Sequence, residues 1–346
     1  MSTKAVSTNS VFFAAANGYT GFRSCFSEIF DSSEYTRIFV LKGGPGTGKS
    51  SLMRRVEHEL AERGYATEAI LCSSDPDSLD GVIAERAGGR VAILDGTSPH
   101  ERDAVIPGAI DVLVPLGKLW DGRFIEAQSE KILELTREKS KAYKTAYSYL
   151  KIAGTADTTV KSCTRAQSVG MNKAVDLILA ELTDVGHGKI STRLISAFGK
   201  RGYITIPTLE HISEKKILIG GSPAHAGALM SEVLGRVRSL GYKCTRLPSP
   251  LSDEETEALY FGNTKTAIVL GDSDNCAINA DELFPKDEAD RERSRVAEQL
   301  RGFALEEAVR WFGIASDIHF RLEEIYTSAM RFEGMEEIYA EIMRKL

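Results

Sequence analysis

Eight consecutive residues, Gly43-Gly44-Pro45-Gly46-Thr47-Gly48-Lys49-Ser50, fit the pattern G-x-x-x-x-G-K-[ST] at every position. They follow the apolar run "RIFVLK" and open the stretch "SSLMRRVEHEL". Between a strand and a helix, that pattern reads as a phosphate loop. Its glycines let the backbone curl so that N–H groups converge on phosphate oxygens, and the helix N-terminus adds partial positive charge. Gly43, Gly44, Pro45, Gly46, Thr47, Gly48, Lys49, Ser50 and Ser51 are assigned to nucleotide contact. Lys49 would reach the β- and γ-phosphates and the Ser50 hydroxyl would ligate Mg2+.

A second part follows at "RVAILDGTSPH", residues 90 to 100, where four apolar residues precede Asp95. A carboxylate at the end of such a strand holds the hydration shell of the Mg2+. Gly96 follows, where a vigorous ATPase often carries a water-polarising glutamate, so any catalytic partner must come from elsewhere. His100, Asp103 and the acidic stretch "CSSDPDSLDGV" with Asp75, Asp77 and Asp80 are the candidates. The acidic stretch also reads as helix capping, with Asp77 or Ser78 as N-cap. Arg102 and Arg123 are candidates for neutralising γ-phosphate charge.

The stretches "GGPGTGKSSLM", "LCSSDPDSLDGV" and "DGTSPHERDAVIPGAIDVLVPLGKLWD" together resemble an uncharacterised family of bacterial ATP-binding proteins with two P-loop halves. The resemblance covers most of the chain. It implies a tandem P-loop NTPase fold and ATP binding, and it implies no particular substrate. In that family both halves tend to carry a recognisable phosphate loop, and this chain departs from it in the second half.

That departure is visible when Gly44 is aligned with Gly221 and the alignment is extended without a gap. Leu41 then meets Leu218, Leu52-Met53 meets Leu229-Met230, Gly64-Tyr65 meets Gly241-Tyr242, and Asp95 meets Asp272. The loop itself is stripped, because Ala226 stands for Lys49, Gly227 for Ser50, Pro223 for Gly46 and His225 for Gly48. Losing one charge-assisted contact costs about 1.5–3 kcal/mol, and here several are lost together. The second half is therefore expected to be a scaffold without Mg-ATP, with His225 at most holding a small anion.

Around these loops the pattern alternates strand and helix. Strands are expected at Arg37 to Lys42, Ala66 to Cys72 and Arg90 to Leu94, with helices at Lys49 to Arg63 and Ser78 to Arg86. Apolar strands alternating with helices predict α/β tandem P-loop NTPase-like parallel sheets with helices on both faces, each followed by a helical appendage. The first domain spans 1–190 with a helical extension at 123–183, and the second spans 191–346 with one at 285–346. Within the first extension a helix over 124–154 ends at Gly154, and a second over 156–182 folds back on it as a hairpin.

The 346 residues carry 43 basic and 49 acidic side chains, a net charge of -6, which argues against a nucleic-acid partner. Five scattered cysteines without a CxxC pair suggest reduced thiols in the cytoplasm. "MSTKAVSTNSVFFAAANG" reads poorly as a signal peptide, and no apolar run is long enough to span a membrane. The sequence thus predicts an ATP-binding, Mg2+-dependent P-loop ATPase, slow and switch-like, with nucleotide bound only in the first half. The partner is an unidentified small molecule or protein. A small-molecule kinase and a non-catalytic ATP-binding interaction protein remain as alternatives.

Overall fold

The computed structural model describes residues 10–99, 101–162, 168–271, 276–284 and 288–346. The chain is α/β: two six-stranded sheets, flanked by helices, among the described residues. The first half runs β1 (Ser10–Phe13), the hairpin β2 (Ala15–Gly18) and β3 (Gly21–Ser24), α1 (Phe26–Ile29), β4 (Arg37–Lys42), α2 (Lys49–Glu62), β5 (Ala66–Leu71), β6 (Leu79–Arg86), β7 (Gly89–Asp95) and β8 (Asp111–Pro115). Helices α3 (Gly122–Ala127), α4 (Ser129–Ser162) and α5 (Ser168–Ala180) follow. The second half runs β9 (Ser191–Thr192), the hairpin β10 (Ser196–Gly199) and β11 (Gly202–Thr205), α6 (Thr208–Ile212), β12 (Lys215–Gly220), α7 (Pro223–Ser239), β13 (Thr245–Pro248), β14 (Thr256–Phe261), β15 (Thr266–Leu270) and β16 (Ile278–Asn279). It ends in α8 (Glu288–Ala329) and α9 (Met335–Lys345).

The sheets repeat one topology. The first is ordered β8-β4-β7-β6-β5-β1 and the second β16-β12-β15-β14-β13-β9. Both are mixed rather than parallel. β6 is antiparallel to β5 and β7, as β14 is to β13 and β15. The expected helix over 78–86 is therefore strand β6. Leu79, Val82, Ile83 and Ala84 are all buried, a run covered on both faces that a one-faced helix would not supply. Gly81 lets the Phe30 ring approach, since a Cβ there would stand 2.8 Å from it.

The halves meet reciprocally, as in an isologous dimer. Phe13 and Leu194 pair as an antiparallel bridge at the two sheet edges. The β10–β11 hairpin reaches the loop after β5, with Gly199 beside Ser73, and the β2–β3 hairpin reaches the loop after β13, with Gly18 beside Leu251. One core spans the boundary, joining Phe12, Ile38 and Ala92 to Ile195, Leu247 and Ala267.

The appendages differ from expectation. α4 passes through Gly154 to Ser162, because that glycine admits Tyr19, whose Cβ would lie 2.7 Å from an added methyl, and does not cap the helix. α5 does not fold back on α4. It packs on α7, with Val175 and Ile178 in one core with Leu229 and Val233. The partner of α4 is α8, and the two run antiparallel. Leu135, Ala142, Ala146, Leu150, Ala153, Ala156 and Val160 are buried on α4. When Leu135 is aligned with Ala297 and the helices are matched without a gap, their counterparts are Ala297, Ala304, Ala308, Phe312, Ala315, Ile318 and Leu322, all buried on α8. Alanines at near-heptad spacing let the two backbones approach closely. Finally α9 returns to the first half, where Ile338 and Ile342 join Val56 and Leu60 under the first sheet.

Candidate functional site

The loop at 43–48 leaves the carboxyl end of β4 and becomes α2 at Lys49. Gly46 (φ 66°) and Gly48 (φ 78°) hold the left-handed backbone that only glycine adopts cheaply. The Thr47 hydroxyl donates to the Gly44 carbonyl at 2.9 Å and closes the turn. Lys49 Nζ donates to the carbonyls of Gly43 and Gly44 at 2.9 and 2.7 Å. It also lies 3.5 Å from Asp95 Oδ2, and both side chains are largely buried. Register explains that pairing. β7 is the parallel neighbour of β4, with Asp95 opposite Leu41, so both C-terminal ends open on one edge.

Ser50 Oγ accepts from the Leu79 amide at 2.9 Å, which ties α2 to the start of β6. The Asp95 carboxylate accepts from the Thr97 amide at 2.9 Å. Burial nevertheless raises the Asp95 pKa, against the lowering effects of Lys49 and Thr97, and Asp80 adds a like charge. A buried carboxylate held above its ordinary range favours a cation beside it. Ser50, Asp95 and Asp80 are hard oxygen donors of the kind Mg2+ takes, and Mg2+ keeps several waters and phosphate oxygens instead of a full protein cage. The described residues contain no group of three or more His, Cys, Asp or Glu that could hold a metal ion by themselves.

The second half covers the loop. An added Cβ on Gly46 would stand 2.4 Å from Thr327 Oγ1 and 2.7 Å from the Glu323 carbonyl, so α8 packs directly on this glycine. Tyr326 closes on Gly44 at 3.2 Å by the same measure, and its ring lies 5.3 Å from that of Trp120. Thr327 donates to the Gly46 carbonyl at 3.2 Å.

Beside this contact lies a polar cluster that no local pattern announces. Lys139 Nζ on α4 is 3.3 Å from His319 Nδ1 on α8, and His319 Nε2 is 3.6 Å from Glu323 Oε1. Lys200, at the tip of the β10–β11 hairpin, donates to Ser316 at 3.0 Å and lies 3.5 Å from Asp75. Arg201 pairs with Asp77. Burial, then the Lys139 and Lys49 charges, push His319 down to about 4, so its imidazole is neutral at pH 7. Burial likewise lowers Lys139. Burial and Asp75 raise Glu323, while Lys49, the Gly46 amide and Lys200 favour its ionised form. The only sequence signal for the cluster is the i,i+4 spacing of His319 and Glu323, which is common on solvated helices.

The remaining expectations fall as follows. The 72–82 stretch lies on the same edge as the loop, because β5 runs parallel to β7 with β6 antiparallel between them. It caps no helix. It is a hairpin connection in which the Ser78 amide donates to the Asp75 carbonyl at 2.8 Å. Arg102 does not face the glycine loop at 43–48. It is buried against Asp111 at 3.1 Å and Ser32 at 2.8 Å. Asp103 is exposed and pairs with Lys42 at 3.0 Å. Arg123 is exposed at the start of α3. His100 and Asp272 lie outside the described residues.

In the second half the stripped loop is filled from within. Asp281 Oδ1 accepts from the amide and hydroxyl of Ser222 at 2.9 and 2.8 Å and lies 2.5 Å from His225 Nδ1. His225 stacks on Phe284 at 3.9 Å. His225 is thus engaged by a carboxylate of its own chain at the position where the sequence allowed at most a small anion. The comparisons with known proteins add no relative: no family model, no curated protein and no solved structure matches the chain.

Proposed function

We propose that the two halves are duplicated P-loop units and that the first binds Mg-ATP and hydrolyses it slowly, as a switch. The observation that carries this reading is the pair Lys49 and Asp95, 3.5 Å apart on one sheet edge, beneath a loop held by left-handed Gly46 and Gly48. Lys49 and the loop amides bind the phosphates, because both offer positive charge to them. Ser50 and Asp95 would hold Mg2+, which supplies charge neutralisation at the phosphates. Thr97 orients the Asp95 carboxylate. The reading includes a cytosolic address, in keeping with five scattered cysteines that form no CxxC pair.

A switch is favoured over a small-molecule kinase by what faces the loop. An arginine-rich acceptor pocket near 100 to 125 would favour the kinase, but Arg102 is tied to Asp111 and Arg123 is exposed. The loop faces α8 of the second half instead. A ligand that pushes on Gly46 therefore pushes on the long helix, and a switch needs such a two-state contact.

Calorimetric titration with Mg-ATP tests the reading. One site per chain is expected, and Lys49→Ala should abolish it while leaving the circular dichroism spectrum intact. Two comparable sites, or unchanged binding by Lys49→Ala, would overturn it. Turnover of phosphate without an acceptor separates the ATPase from a kinase and from a silent binder.

A further inference from the structure

We propose that the corner where Gly46 meets the side chains of Lys139, His319 and Lys200 is the terminal-phosphate position of the nucleotide site, and that the Glu323 carboxylate occupies it as an internal stand-in. This rests on the Mg-ATP reading above. It assigns residues from α4, α8 and the β10–β11 hairpin to a site whose loop belongs to the first sheet.

Three observations converge on it. Glu323 lies on the loop, its backbone carbonyl 2.7 Å from where a Gly46 Cβ would stand, and the Gly46 amide with the Lys49 and Lys200 charges favours its ionised form, as these groups would favour a phosphate oxygen. His319 Nε2 stands 3.6 Å from the Glu323 carboxylate, backed by Lys139 at 3.3 Å from His319 Nδ1. A carboxylate thus sits where positive groups from three elements meet.

The matching corner of the second half behaves differently. In the register that aligns Leu135 of α4 with Ala297 of α8, His319 corresponds to Asp157, Glu323 to Lys161, and Lys139 to Arg301. Those residues neutralise one another: Arg301 holds Asp157 at 2.8 Å, and Lys161 holds Asp157 at 2.7 Å and also pairs with Glu255. In the first half the set is looser: Lys200 lies 3.5 Å from Asp75, and the Lys139 ammonium meets the imidazole of His319 where Arg301 meets a carboxylate, so Lys139 keeps capacity for an added anion.

The two loops also differ in how firmly their carboxylates are seated. Asp281 is fixed by hydrogen bonds from Ser222 and His225 in a short turn. Glu323 meets His319 at 3.6 Å, a looser contact than the 2.5 Å between His225 and Asp281, and sits within two turns of the end of α8. A phosphate bearing about two negative charges outcompetes a single carboxylate for the same donors. Glu323 then leaves, and the contact of α8 with Gly46 changes with it.

The test compares Mg-ATP with Mg-ADP, which lacks the terminal phosphate, by calorimetry on the full chain. Removing the competing charge in Glu323→Gln should tighten Mg-ATP by about tenfold and Mg-ADP by much less. Lys139→Met and Lys200→Met together should lower the ATP-over-ADP preference by about tenfold. Melting temperature checks that each variant folds. Unchanged ATP-over-ADP preference in folded variants overturns the inference and leaves Mg-ATP binding standing. If the parent binds neither nucleotide, the Mg-ATP reading falls. Inorganic triphosphate then decides the anion position by itself: tighter binding to Glu323→Gln than to the parent supports it, and equal or absent binding overturns it.

Discussion

Phe13 and Leu194 exchange both backbone hydrogen bonds across the boundary between the halves, Phe13 N to Leu194 O at 2.8 Å and Leu194 N to Phe13 O at 3.0 Å. The register that places Phe13 on Leu194 also places Ala14 and Cys25 on Ile195 and Ile206, and these make the same backbone bond in each half. The two residues are thus equivalents that pair with each other. Both are fully buried.

Leu194→Ala should therefore destabilise the whole chain. Deleting a buried leucine side chain costs about 2–5 kcal/mol. Because the core is continuous across Phe13 and Leu194, urea unfolding should remain one transition, followed by both circular dichroism and tryptophan fluorescence. Two separate transitions in the parent protein would contradict the shared core.

Asp95→Asn should split stability from activity. Burial raises the carboxylate's pKa in the folded state, so the ionised group is held there at a cost. The amide removes that charge with little change of shape. The melting temperature of the nucleotide-free protein should stay level or rise, while Mg2+-dependent phosphate release is lost. A large drop in melting temperature would mean that Asp95 is a structural residue.

Gly46→Ala should damage both the loop and its cover. The backbone is left-handed at φ 66° and Thr327 Oγ1 would lie 2.4 Å from the new methyl. Strain of this kind costs of order 1–3 kcal/mol. Combining it with Thr327→Ala removes the Oγ1 clash but leaves the backbone strain and the 2.7 Å approach to the Glu323 carbonyl, so the double variant should regain only part of the lost melting temperature. No recovery would show that the Thr327 hydroxyl does not press on the loop.

Asp111→Ala should unfold the first half's edge. Its carboxylate is buried against Arg102, Ser32 and the amides of Val105 and Ile106. Burial opposes ionisation, but the Ile106 amide, Ser32 and Arg102 outweigh it and hold the pKa below its ordinary value. Breaking such a buried pair costs about 3–5 kcal/mol. A depressed carboxylate contributes stability above its unfolded pKa of about 3.9 and loses it as pH falls through the folded value. The parent should lose this increment below about pH 4, and Asp111→Ala should be less acid-sensitive there. Identical acid profiles would rule out the pair as a source of acid lability.

The glycine turn at 43–48, β4, α2 and the strand ending at Asp95 were legible in the sequence, because each is set by near neighbours. Glycines fix the turn, apolar runs fix the strand, and helical spacing fixes α2. The repeat was legible at the loops for the same reason. Strand β6 was not, since Leu79, Val82, Ile83 and Ala84 suit a buried helix as well as a strand, and only the pairing with β5 and β7 decides. Gly154 was read as a helix end, although its lack of a side chain serves Tyr19 from another element. Arg102 looked free until the fold brought Asp111 and Ser32 to it. Lys139, Lys200, His319 and Glu323 are each ordinary in their own stretch of sequence. What gathers them at Gly46 is the antiparallel packing of α4 on α8 and the crossing of the hairpins, contacts between residues far apart in the chain that no local period encodes.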